Sequence, residues 1–276
     1  MHSHSFQKKT AQKLLCAAIA FLSLSIFFAF LLIAQEINLA WMMKIHSSPF
    51  MPPAFWAFTN LGGDAFIVLL ILLLAESKPG TSTSWILKTW LTGAIITQFV
   101  KILFPMPRPG FVIDIAHLSL IDNPPLASGS MPSGHALAAF SCGLILIFLA
   151  LEKGKRYSAL ISIALFTVTV AWSRVAVGAH WPSDVIVGAG LAFFVVTCTR
   201  FWELHHTWNH WFHKKSGLRF LALIHLLIAI HLALQQSEFI LVQFSLIVLS
   251  FISLARVVLL MMPKLFYFSQ QETAKR

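Results

Sequence analysis

Long apolar runs separated by short polar connections dominate this chain, and eight of them approach the roughly 20 residues needed to cross about 30 Å of hydrocarbon. They cover 14–34, 55–75, 84–103, 134–151, 159–177, 184–200, 218–234 and 239–262. The pattern predicts an all-α fold, a polytopic membrane helix bundle. The second run is the weakest, because only 65–75 is uninterrupted and Asn60, Gly62, Gly63 and Asp64 occupy its first half. It is expected to enter obliquely or to lie partly in the interface. The first run follows Lys8, Lys9 and Lys13, the flank of a secretory signal, but its length favours a retained anchor.

Composition excludes an ordinary soluble domain: the 276 residues are 58% hydrophobic and 11% charged, with a mean hydropathy of +0.79. The net charge of +10 would suggest nucleic acid in a soluble protein, but in a membrane protein basic residues report topology. With the N-terminus in the cytoplasm, Lys8, Lys9, Lys13, Lys78, Lys88, Lys153, Lys155, Arg156, Arg200, Lys214, Lys215, Arg219, Lys264, Lys275 and Arg276 fall at the inner face. The outer face keeps Lys44, Lys101, Arg108 and Arg174, and Arg256 lies inside the last run. Cations that defy the positive-inside rule need another reason to be there, and binding an anion is one. Cys16, Cys142 and Cys198 all lie inside apolar runs, so neither a disulfide framework nor a cysteine metal site is indicated. The sequence has no repeat of 20 to 50 residues.

Three polar blocks interrupt the apolar pattern: Lys101-x6-Arg108-Pro109, Pro132-Ser133-Gly134-His135 and Ser173-Arg174-x5-His180-x3-Asp184. Under the predicted topology they sit at four different helix ends on one membrane face. Lys101, Arg108 and Arg174 supply positive charge for phosphate oxygens, Arg through planar bidentate contacts and Lys as a point charge. Ser133 and Gly134 lie where a helix begins, so free backbone N–H groups and the Ser133 hydroxyl suit an oxyanion. His180 and Asp184 are four apart, with Pro182 placed to start a helix between them. A carboxylate there holds one imidazole nitrogen and leaves the other for nucleophilic attack. His135 suits a general acid that later activates water.

These blocks resemble the complete three-part signature of the type 2 phosphatidic acid phosphatase superfamily. The resemblance implies a metal-independent membrane lipid phosphatase, without cofactor, working through a phosphohistidine. By that likeness His180 is the nucleophile, Asp184 its partner and His135 the acid, while Lys101, Arg108, Ser133, Gly134 and Arg174 bind phosphate. It also implies a six-helix core, drawn here as 1–200, with 201–276 adding a His- and Trp-rich cytoplasmic connection and two further helices. Substrates implied are undecaprenyl diphosphate, phosphatidylglycerophosphate, phosphatidic acid or a lipid A phosphate. The expected setting is a bacterial inner membrane, with both termini cytoplasmic, the site on the periplasmic side, lipids as partners and no nucleic acid. A phosphotransferase using the same phosphohistidine is the first alternative, and a lipid transporter with a cationic headgroup pocket is the second.

Other polar residues carry weaker expectations. His205, His206, His210 and His213 allow a metal site, but their Trp and Lys neighbours fit an interfacial belt better. His225, His231 and Arg256 lie in apolar runs and are read as structural or snorkelling groups, and Asp64 as a turn or cap. The connection 104–131, with five prolines, is expected to form a lid and a side entrance for lipid tails.

Overall fold

In a computed structural model, the structure describes residues 14, 17–26, 28–30, 35–47, 51–76, 78–113, 120–121 and 129–262. Its helices are α1 (Ala17–Phe30), α2 (Gln35–Ser47), α3 (Pro53–Leu61), α4 (Ala65–Ala75), α5 (Thr83–Leu103) and α6 (Pro109–Val112), followed by α7 (Gly134–Glu152), α8 (Tyr157–Ala176), α9 (Pro182–His205), α10 (Lys215–Leu234) and α11 (Ile240–Met261). A 3₁₀ turn, Asn209–His213, joins α9 to α10. Helices α5, α7, α8, α9, α10 and α11 are each long and apolar enough to cross a membrane, and α3 with α4 forms one further span bent by 60°. The eight-run pattern therefore resolves into these seven and a first run that lies partly outside the described residues.

The bend in the second span follows from its sequence. Gly62 and Gly63 end α3, and Asp64 restarts the helix by accepting hydrogen bonds on Oδ1 from the amides of Phe66 (2.9 Å) and Ile67 (3.0 Å). This is the N-cap role expected for Asp64. Similar signals place two further helix starts: Ser133 caps α7 by accepting from the Ala136 amide, and Pro182 opens α9. Helix α8 ends at Gly178, whose φ of +79° suits glycine and turns the chain back on itself.

Helix α7 packs between α8 and α9, with α5 and α4 against the same group. The main core joins Leu69, Leu70, Trp85, Ile86, Ile145 and Val196 across these helices. Helix α2, which the apolar runs did not predict, lies against α8 and α9; Met42 is fully buried beside Ala171, Val175 and Trp181. Its Asn38 donates to Ser183 Oγ at 2.9 Å, near the start of α9. Helices α10 and α11 pack on each other, and α10 docks on α4 while α11 docks on α3. His225 and Ser253 stitch this pair together: His225 Nδ1 lies 3.2 Å from Ser253 Oγ, which donates to the His225 carbonyl at 2.7 Å.

Lys88 differs from its reading as one of the topology-setting cations. It is 2% exposed and pairs with Glu203 at 2.7 Å. Its Nζ also donates to the His206 carbonyl and lies over the rings of Trp202 and Trp208. Glu203 accepts in addition from Ser84 Oγ (2.7 Å) and Asn209 Nδ2 (3.1 Å). The cause is the length of α9, which runs past the apolar stretch to His205 and brings a carboxylate against α5.

Candidate active site

Gly178 sets the local geometry of the third block. After the turn, the amides of Ala179 and His180 donate back to the Arg174 carbonyl at 3.1 and 3.2 Å, so the last carbonyls of α8 are satisfied and His180 is carried over the helix end. Pro182 then starts α9, and Asp184 at its third position reaches back to accept the Trp181 amide at 2.9 Å. The sequence thus folds so that His180 and Asp184 face each other across one helix start.

His180 is 2% exposed. Its Nδ1 is 3.4 Å from Asp184 Oδ2, and its Nε2 is 3.3 Å from Arg108 NH1. Guanidinium nitrogens only donate, so Nε2 is the acceptor and Nδ1 carries the hydrogen toward Asp184. The ring therefore presents a lone pair at Nε2. Burial, followed by the charges of Arg174, Arg108 and Lys101, holds the His180 imidazole well below the usual histidine range. Both effects favour the neutral imidazole over the imidazolium.

Asp184 is completely buried, and its Oδ2 also accepts from Ser130 Oγ at 2.5 Å. Ser130 Oγ lies 3.5 Å from His180 Nδ1 as well. Arg108 donates to the Ala179 carbonyl at 3.0 Å, while burial lowers its pKa and the Asp184 charge partly restores it. Arg174 donates to Asn60 Oδ1 at the end of α3. The Nε–H groups of Arg108 and Arg174 are buried without a hydrogen-bond partner among the described residues. Unpaired buried cationic donors are costly unless an anion receives them.

Lys101, Arg108, Gly134, His135, Arg174 and His180 all line one cavity of about 410 Å³. Asp184 stands behind His180, and Ser133 behind the start of α7, where its amide donates to the Asp184 carbonyl at 3.0 Å. The eight residues of the three blocks thus converge on one end of the bundle. The remaining cavity wall is largely apolar, with Val68, Leu72, Leu137 and Ala138, and it continues to Asp64, Trp90 and His231.

Ser130 and Asn60 were not singled out as site residues by sequence. Ser130 precedes the second block by two residues, and only proximity in space reveals its role. Asn60 gave a faint signal as a polar residue in an apolar run. The His205 to His213 cluster lies at the opposite end of α9 from His180, and among the described residues no group of three or more His, Cys, Asp or Glu is arranged to hold a metal ion. Most of the connection 104–131 expected to form a lid lies outside the described residues, namely 114–119 and 122–128.

Fold and site together describe a multi-pass helical membrane protein with buried cations and histidines gathered around one cavity. Residues 83–208 match the family model of the PAP2 superfamily. Undecaprenyl-diphosphatase BcrC of Bacillus subtilis is 25% identical over 131 residues, which cover 48% of this chain and 63% of that protein. The match thus spans less than two thirds of that relative's length. The first transmembrane PAP2-type phosphatidylglycerolphosphate phosphatase from Bacillus subtilis shares the fold, with a TM-score of 0.52 and 18% identity over 69% of this chain and 98% of that one. LpxE of Aquifex aeolicus aligns with a TM-score of 0.48 and 23% identity, over 59% of this chain and 93% of that one.

Proposed function

We propose that the protein is an integral membrane phosphatase that hydrolyses a lipid phosphate or diphosphate through a phosphohistidine on His180. The observation that carries this reading is the placement of the His180 ring: Nδ1 faces Asp184 and Nε2 faces Arg108 at the cationic end of the cavity. In the first step Nε2 attacks phosphorus, a P–N bond forms, the P–O bond to the lipid breaks, and His135 gives its proton to the departing oxygen. Asp184 balances the imidazolium that results. In the second step His135 takes a proton from water, whose oxygen attacks phosphorus, and the P–N bond breaks to release phosphate. Lys101, Arg108, Arg174 and the α7 N-terminus with Ser133 and Gly134 stabilise the equatorial oxygens throughout.

No step requires a metal. The positive-inside distribution supports a site on the periplasmic face of an inner membrane, with both termini cytoplasmic. We assign residues 1–200 as the catalytic unit and 201–276 as an accessory pair of helices with its connection.

The test is phosphate release by purified wild-type and His180→Ala protein in detergent with excess EDTA, over undecaprenyl diphosphate, phosphatidylglycerophosphate, phosphatidic acid and a lipid A phosphate. Release by the wild type alone, inhibited by vanadate as a mimic of the five-coordinate transition state, supports the mechanism. Equal release by His180→Ala, or loss of activity with EDTA, refutes it. Phosphate transfer to an added acceptor lipid without free phosphate would reassign the protein as a phosphotransferase.

A further inference from the structure

The cavity has a second polar region that the phosphohistidine chemistry does not use. At its rim, Asp64 Oδ2 lies 3.4 Å from His231 Nε2, and the Gln235 amide donates to Asp64 Oδ2 at 3.1 Å and to His231 Nε2 at 2.7 Å. The Phe66 ring stacks on His231, with centroids 4.1 Å apart, and Phe66 in turn meets Trp90 edge-on. Trp90 is itself held by a 2.9 Å hydrogen bond to the Ala65 carbonyl. The side chains of Asp64 and His231 are 16% and 35% exposed, and both line the same 410 Å³ cavity as Lys101 and His180. This is a partly open, hydrogen-bonded polar cluster in a largely apolar wall. His231 and Gln235 come from the end of α10, beyond the segment 83–208 that matches the family.

Resting on the phosphatase reading, we propose that Asp64, His231 and Gln235 form a headgroup subsite that selects lipid phosphates whose non-reacting headgroup carries hydroxyls, a glycerol or sugar phosphate, over a diphosphate. The chemistry follows from the donor and acceptor inventory. A carboxylate accepts only, so Asp64 takes a hydroxyl hydrogen from the substrate while repelling the negative charge of a second phosphate. The amide and imidazole beside it both donate and accept, which matches a polyol. The reacting phosphate binds at the three cations, and the hydroxyls extend along the cavity toward α10. A site built to bond a hydroxyl discriminates strongly against a substrate that lacks one, because its own polar groups are then left unpaired.

The experiment compares kcat/KM for phosphatidylglycerophosphate, a lipid A phosphate, phosphatidic acid and undecaprenyl diphosphate in wild type, Asp64→Asn and His231→Leu. Asn caps α4 as well as Asp does, so Asp64→Asn removes charge while keeping the helix start. The wild type is expected to prefer the two hydroxyl-bearing substrates by about tenfold or more, and both variants to lose most of that preference. His231→Gln, which keeps a donor and an acceptor, should retain more of it than His231→Leu. A wild type without preference, or variants that slow all four substrates in proportion, would overturn the subsite. Binding of the same lipids to His180→Ala protein, read by native mass spectrometry, gives the preference without turnover. A hydroxyl preference in binding that Asp64→Asn abolishes supports the subsite even where no phosphate is released, and in that case only the phosphatase reading fails.

Discussion

Ser130→Ala tests whether the pose of Asp184 controls the reactivity of His180. The Ser130 hydroxyl donates to Asp184 Oδ2 at 2.5 Å in a fully buried setting, and the same oxygen accepts the Trp181 amide and faces His180 Nδ1. A hydrogen bond to a buried charged group is worth about 1.5–3 kcal/mol, and each 1.4 kcal/mol is about tenfold in rate. If the whole of that loss falls on the His180–Asp184 geometry, kcat drops by about 10- to 150-fold. KM should change little, because Lys101, Arg108 and Arg174 do not bond to Ser130. Steady-state phosphate release in detergent measures both constants, and a thermal unfolding scan of the same sample separates lost catalysis from lost folding. A kcat within twofold of wild type would refute the reasoning, as would a rise in KM large enough to account for the loss.

Lys88→Met leaves Glu203 buried without its cation and should destabilise the protein by about 3–5 kcal/mol, read as a lower unfolding midpoint in detergent; Lys88→Met with Glu203→Leu should recover much of the loss. Because His180 is held below the usual histidine range, the unfolded chain binds its proton first as pH falls below about 6.5, so this residue's contribution to stability is lost on acidification. The fall in kcat/KM caused by protonating His180 should accordingly lie below pH 6.5, and a pH–rate profile placing it at or above that value would contradict the burial argument. A Cβ on Gly188 would sit 2.7 Å from the Ser133 carbonyl oxygen, a backbone atom that yields only by shifting the start of α7. Gly188→Ala should therefore cut phosphate release about tenfold or more, measured as kcat on folded protein.

The residues of the three blocks were legible because each lies at a helix end marked by local chemistry. Gly178 turns the chain before His180, Pro182 starts α9 beneath it, and Ser133 caps α7, so position along the chain carries position in space. Ser130 and Asn60 were not legible as site residues, since their partners are 54 and 114 residues away and nothing in their spacing encodes that pairing. Gly62, Gly63 and Asp64 announced a break in the second span but not its direction, which depends on what α3 and α4 pack against. Helix α2 was not legible as a span because its 13 residues are too few to cross a membrane. Lys88 was legible as a charge near an interface, but its burial depends on α9 continuing past its apolar stretch to Glu203.

The broken second span has one neighbour set for each half. Its first half touches α8 and α11, and hands Asn60 to Arg174; its second half touches α5, α7 and α10, and holds Asp64 beside His231. The final helix pair is thus not a detachable appendage. Cutting the chain after α9 would strip one wall from both halves of the joint and loosen the asparagine that accepts a hydrogen bond from Arg174. A minimal version ending with α9 would need new packing for α3 and α4 before the polar end of the bundle could keep its shape.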